Sequence, residues 1–165
     1  MTELFQLVDS SGNPAGQATR EECHGNPRLI HLVVHLHVFH PDGRLLLQRR
    51  ALDKDTNPGL LDTSVGGHVR AGEPVSAALL REAKEELGID ASSAHFLYSY
   101  LYGSSFETEY ARCYGMTHAG PFAPLAEEIS EVRFLSLPEI EGMVGTGALT
   151  PMFEHELRML KRSLS

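Results

Sequence analysis

Residues 67–89 read GHVRAGEPVSAALLREAKEELGI, and the rest of the chain is best read outward from them. Pro74 suits the first turn of a helix and Gly88 suits a helix stop, so the spacing predicts a helix over 74–87 between two loops. At 3.6 residues per turn, Glu82, Glu85 and Glu86 fall at i, i+3 and i+4 on one surface, with Arg81 beside Glu85. Leu79, Ala83 and Leu87 occupy an adjacent sector and are expected to face a core. Like charges so spaced repel one another. A divalent cation such as Mg²⁺ or Mn²⁺ relieves that repulsion, because hard cations take oxygen ligands. An Arg-Glu-x-x-Glu-Glu string alone fits a solvated acidic helix face better; the flanking glycines and Glu73 shift the reading to a cation held against a phosphate.

Around this helix the pattern is that of strands. Residues 4–8 read as a short strand ended by a turn at 9–14, and 16–24 as a second extended piece. Residues 31–39 form a clearer strand: Leu32, Val34, Leu36 and Val38 share one face, and His31, Val33, His35, His37 and Phe39 the other. Pro41 and Asp42-Gly43 predict a tight reversal into a return strand over 44–50. A polar loop spans 53–59, and a strand over 60–65 leads into Gly66-Gly67. Further strands are expected at 96–102, 106–116 and 131–135. A short helix opens at Leu137-Pro138-Glu139, and a longer one covers 151–163. Strands before and after a central helix predict one α/β (α+β) domain over residues 1–165.

Bulk composition narrows the partners. The formal net charge of −8 argues against a broad nucleic-acid interface, which needs surplus Lys and Arg, but a local basic pocket still admits a small phosphorylated ligand. No apolar run reaches membrane-span length and the amino terminus has no signal-peptide pattern. With two cysteines, Cys23 and Cys113, a disulfide framework is not expected, and the reducing cytoplasm is the expected location.

The same stretch matches the pattern Gly-x5-Glu-x7-Arg-Glu-U-x-Glu-Glu-x-Gly-U, with U apolar, through Gly67, Glu73, Arg81, Glu82, Ala83, Glu85, Glu86, Gly88 and Ile89. This is the Nudix box, and the chain resembles the Nudix hydrolases. The resemblance implies a Nudix fold, a mixed β-sheet sandwiched between helices, with residues 67–89 as a catalytic loop-helix-loop. It also implies hydrolysis of a diphosphate linked to a further group X, with Mg²⁺ or Mn²⁺ as cofactor. Carried over by position, Glu82, Glu85 and Glu86 hold the metal, aided by a backbone carbonyl of Gly66 or Gly67. Glu73 and Arg81 brace the loop, and Gly67 and Gly88 are structural. In many members a carboxylate on a late loop activates the water, and here Glu127 and Glu128 stand in that position, with Glu128 taken as the catalytic one.

A wider resemblance runs from residue 3 to 135, through Cys23-His24, residues 31–39 and 43–50, Lys54, Pro58-Gly59, residues 64–68 and Glu107-Thr-Glu109. It is to type I isopentenyl-diphosphate isomerases and their hydrolase relatives. In that branch the positions of His24, His31, His68, Glu107 and Glu109 form a metal site, and those of Arg20, Arg50 and Lys54 contact the diphosphate. Glu107 and Glu109, two apart on a strand, do point to one face. Two departures point from isomerisation to hydrolysis: Gly66 stands where the isomerases carry a catalytic cysteine, and all the box glutamates are kept. The expected function is divalent-metal-dependent hydrolysis of a nucleoside diphosphate linked to another moiety, or of a similar small diphosphate. The alternatives are an isopentenyl-diphosphate isomerase-like enzyme and a non-catalytic nucleotide-binding sensor. A homodimer is the family expectation.

Overall fold

The structure is a computed structural model and describes residues 2–165. Its strands are β1 (Leu4–Val8), β2 (Pro14–Thr19), β3 (Ile30–Phe39), β4 (Leu45–Arg50), β5 (Leu61–Asp62), β6 (Val65–His68), β7 (His95–Gly103), β8 (Thr108–Thr117) and β9 (Ile129–Leu135). The helices are α1 (Arg20–Cys23), α2 (Val75–Leu87), α3 (Leu137–Met143) and α4 (Pro151–Ser163).

The β3–β4 hairpin organises the sheet. It forms at the predicted turn, where the His40 carbonyl accepts from Gly43 N–H at 2.9 Å. Beyond it the two strands splay, and Phe39↔Leu45 is their one registered pair. β3 instead runs parallel to β8 along its whole length and pairs antiparallel with β6 and the end of β1. β4 pairs with β9 and β5. Where the strands part, Ser64 bridges them: its Oγ accepts from Val38 N–H at 2.9 Å and donates to the Leu46 carbonyl at 2.5 Å.

Strand alternation sorts side chains between two helical layers. Leu32, Val34, Leu36, Val38 and Leu46 pack with Ala78, Leu79, Ala83 and Leu87 of α2, the sector expected to face inward. Leu45 and Leu47, on the opposite face, pack with Ile140 of α3 and with Phe153, Leu157 and Leu160 of α4. The result is a mixed sheet between helices, as the resemblance implied.

Three local readings change. Residues 20–23 are a helical turn rather than extended chain, because Thr19 and Glu22 form a capping box: Glu22 N–H donates to Thr19 Oγ1 at 3.1 Å, and Thr19 N–H to Glu22 Oε2 at 2.7 Å. The run expected as one strand over 60–65 divides into β5 and β6 around Thr63-Ser64. Pro74 caps α2 from extended backbone instead of lying in its first turn. At the other end Gly88 adopts φ 68°, the left-handed conformation that a glycine tolerates without strain.

Leu36 is fully buried in the α2-side core. Leu36→Ala is expected to lower the unfolding free energy by about 2–5 kcal/mol, read by urea denaturation. A loss below about 1 kcal/mol would contradict the packing described.

Candidate active site

An open cleft of about 670 Å³ lies between β6, α2 and the loops after β4 and β7. Its centre is bare backbone. Successive residues of β6 face opposite sides. On one side, a Cβ at Gly67 would stand 2.1 Å from Glu82 Cδ, so the Glu82 carboxylate occupies this position only because Gly67 has no side chain. On the other side, a Cβ at Gly66 would meet His35 Cδ2 and Thr63 Cγ2 at 3.5 Å, ordinary contact. Glycine at 66 leaves room that sterics do not demand.

Arg81 ties the acidic array together. Its Nε and Nη2 donate to the two oxygens of Glu73 at 2.9 Å each, and its Nη1 to Glu82 Oε1 at 2.8 Å. Nη2 also donates to the His68 carbonyl at 3.0 Å, linking α2 to β6. Glu85 lies further out, 3.4 Å from Nη1 and half exposed. The forked bond to Arg81 holds the Glu73 carboxyl below the usual carboxylate range and raises Arg81 in turn. Glu86 is 4% exposed, accepting from Gln48 Nε2 at 2.8 Å and from Gly66 N–H at 3.4 Å. Burial, and then the neighbouring Glu82, push its carboxyl well up; burial also raises Glu82, against Arg81. One guanidinium thus serves Glu73, Glu82 and Glu85, and Glu86 has no cation at all among its bonded partners. The oxygen donors, grouped and short of positive charge, fit a hard divalent cation.

The cleft gathers the remaining expected residues. Glu128 lines it and adds to the rise of Glu86, whereas Glu127 is exposed beside the cleft lining. Lys54 Nζ stands 4.0 Å from Glu128 Oε1. Arg50 donates to the Thr56 carbonyl and Oγ1, both at 2.9 Å, and lies 3.6 Å from Asp62. Arg20 reaches in from α1, 3.9 Å from Asp55. An acidic chain therefore gathers Arg20, Arg50 and Lys54 in the lining of one cleft.

The His/Glu set also comes together. Glu107 Oε2 lies 3.1 Å from His24 Nε2 and 3.4 Å from His31 Nε2. The His31 and His68 rings are 5.1 Å apart, and His68 stacks on Phe5 at 4.0 Å. His31, Glu107 and Glu109 could each offer one ligand atom within 4.8 Å of the others. Both ring nitrogens of His31, and Glu107 Oε2, are buried without a hydrogen bond of acceptable geometry. Burial and then Glu107 push the Glu109 carboxyl up to about 7, while burial and then His31 push His68 down to about 3.

The sequence reading left two groups out. Gln48 fixes Glu86 through a bond spanning 38 residues, which no motif registers. His35, on the same strand face as His31, is fixed by Glu156 of α4 and lines the cleft. Its signal was present as alternate histidines at 31, 35 and 37 in an otherwise apolar strand.

Residues 29–159 match the NUDIX domain. The chain belongs to the Nudix family. It is 34% identical over 151 residues to an uncharacterized Nudix hydrolase of Streptomyces coelicolor, covering 90% of this chain and 83% of that one. It is 31% identical to an isopentenyl-diphosphate Delta-isomerase of Clavibacter michiganensis, covering 91% and 79% respectively. In fold it is similar to the crystal structure of DR0079 from Deinococcus radiodurans, with a TM-score of 0.82 at 24% identity, covering 94% and 98%. This Nudix chain is accordingly a pyrophosphatase of the Nudix type, and its fold is that of its structural neighbours.

Cys113 does not stand in for the cysteine position at Gly66. It is buried on β8, its Sγ 3.9 Å from His35 Nδ1, and burial and then Glu156 push the thiol up to about 12. Burial pushes Cys23 up to about 11. Since the thiolate is the reactive form, neither is expected to react in the folded protein at pH 8, and raising the pH toward those values should expose them. Ellman's reagent should release its chromophore only after denaturation; a fast-reacting equivalent from native protein would contradict this.

Proposed function

We propose that this Nudix pyrophosphatase hydrolyses a nucleoside diphosphate linked to another moiety, or a similar small diphosphate, by attack of water at phosphorus. The observation that carries the reading is the grouping of Glu82, Glu85 and Glu86 on one wall of a cleft whose other walls bring Arg20, Arg50 and Lys54. In this reading Glu82, Glu85 and Glu86 hold Mg²⁺ or Mn²⁺, with the Gly66 backbone carbonyl assisting. The bound cation neutralises diphosphate charge and lowers the pKa of water.

The chain's own residues supply orientation and proton transfer. Arg50 and Lys54 take phosphate oxygens, Arg50 suited to a forked contact and Lys54 acting as a point charge, with Arg20 at the cleft mouth. Glu128 accepts the proton of the attacking water, and Lys54 lies beside it at 4.0 Å. Glu73 and Arg81 touch no substrate in this scheme and hold the loop against the helix. Gly67 keeps that wall narrow and Gly88 ends the helix. The set His24, His31, His68, Glu107 and Glu109 has a donor composition suited to Zn²⁺ or Mn²⁺, and the unpartnered nitrogens of buried His31 favour a second cation there.

Two observations disfavour isomerisation of isopentenyl diphosphate. Gly66 has no side chain to move a proton at carbon, and the Cys113 thiol is buried and held protonated. The sensor alternative is disfavoured because the acidic array is complete.

A panel of nucleoside diphosphates linked to sugars, alcohols or a second nucleoside, together with isopentenyl diphosphate, tests the proposal directly. Hydrolysis of at least one panel member with Mg²⁺ or Mn²⁺, with the product identified, is expected; tight binding without turnover would instead support the sensor. Glu85→Gln and Glu86→Gln should each lower kcat/KM by roughly 100-fold or more. Unchanged turnover in both variants would refute the metal-holding roles.

A further inference from the structure

We propose that Gln48 is the positioning residue of the cation site: it secures one oxygen of Glu86, Oε1, and thereby keeps the other, Oε2, for the divalent cation. The inference rests on the cation reading above and adds to it a residue of β4 that touches neither substrate nor ion.

Gln48 is out of place on its own strand. Leu46 and Gln48 share the face of β4 that joins the core under α2, and Val132 of β9, paired with Gln48, packs on the same core. A primary amide at 7% exposure among such neighbours carries a desolvation cost that only bonded partners offset.

Those partners settle which way the amide faces. Nε2 lies 3.1 Å from the Ser64 carbonyl and 2.8 Å from Glu86 Oε1. A carbonyl and a carboxylate oxygen both accept, so the end of the amide between them is the NH₂ group; turned over, it would set three oxygens against one another. Ser64 is itself held by the Val38 N–H and the Leu46 carbonyl, where β3 and β4 part. The bond to Glu86 therefore comes from a donor fixed by the sheet, independently of α2.

This bond sorts the two oxygens of Glu86. Oε1 accepts from Gln48 and, at 3.4 Å, from Gly66 N–H. No donor among the described residues is bonded to Oε2, and the charged group beside Glu86 is Glu82, a second carboxylate. Glu86 nevertheless lines the cleft. An unpinned carboxylate rotates and loses that freedom when it takes an ion; pinning Oε1 removes part of the loss beforehand. Gln48 also supplies direction without charge. A lysine or arginine in its place would neutralise Glu86 and remove the excess of negative charge that suits a cation.

Mn²⁺ alone is the probe, with the free ion counted by electron paramagnetic resonance as it is added to the full chain. Glu86→Ala identifies the binding step that belongs to α2, whether or not His31, Glu107 and Glu109 take a second ion. Gln48→Met, close in length and without an N–H, is expected to weaken that step by about tenfold or more, the scale on which bonds to metal-holding residues act. Added to Glu86→Ala, the same change should cost less than about twofold, because the residue it acts through is gone. In the native protein, nitrogen-15 NMR of the Gln48 side-chain amide should respond to Mg²⁺: the proton directed at Glu86 should shift more than the one directed at the Ser64 carbonyl.

A native α2 step that folded Gln48→Met leaves at full strength, or an equal loss with and without Glu86, overturns the proposal. So does a Gln48 amide whose two protons move alike or not at all at saturating Mg²⁺. Should Gln48→Met lose its fold by circular dichroism, or Glu86→Ala leave no measurable α2 step, the amide signal of the native protein decides alone. Absence of any α2 step in the native protein would overturn the cation reading and this inference with it.

Discussion

The acidic face of α2 lies against bare backbone, and the site is built on that contact. A Cβ at Gly67 would overlap the Glu82 carboxylate, so a single methyl group would displace that carboxylate from its place. Arg81 fixes the approach from the other side by bonding Glu73, Glu82 and the His68 carbonyl together. Three negative groups are thereby held close enough to repel, with too few cations to compensate. The fold accepts this cost because the apolar side of the same helix is fully engaged: Ala78, Ala83 and Leu87 are buried against β3 and β4. Core burial keeps the helix in place and leaves its charged face unbalanced, an arrangement that suits a bound cation.

β3 carries the second half of the design. One of its faces is apolar and joins the core under α2; the other carries His31 toward Glu107 and His68, and Val33, His35 and His37 toward α4. A polar strand face can be buried only if something satisfies it. At His35 and His37 the solution is Glu156, which closes a hydrogen-bond network among β3, β7 and α4. At His31 it is incomplete, since neither ring nitrogen finds a bond of acceptable geometry. The two ends of one strand thus differ in kind: a closed network beside Gly66, and an open donor set beside Glu107.

Much of this was legible locally. The helix, read as 74–87 and found at Val75–Leu87, its glycine stop, the inward sector of Leu79, Ala83 and Leu87, and the hairpin turn at 40–43 follow from short-range patterns. The grouping of Glu82, Glu85 and Glu86 needed nothing more than the helical period. The turn at Arg20–Cys23 was also encoded, in the Thr19-x-x-Glu22 capping box, although residues 16–24 read as extended. Other features lie beyond any local pattern. Glu156 meets His35 across 121 residues, and Gln48 meets Glu86 across 38, so their partnership exists only once the layers have stacked. The break between β5 and β6 depends on Ser64 bridging two strands that splay for tertiary reasons. That Glu128 lines the cleft while Glu127 lies beside its lining depends likewise on the path of the late loop, because the two are neighbours in sequence.

The central claim is that the unbalanced face of α2 is the catalytic cation site. Anomalous diffraction from crystals soaked in Mn²⁺ locates the ion without reference to activity or substrate. The account predicts a peak ligated by Glu82, Glu85 and Glu86, whether or not a second appears at His31, Glu107 and Glu109. A peak at the His/Glu set alone, with nothing on the α2 face at saturating Mn²⁺, would contradict it.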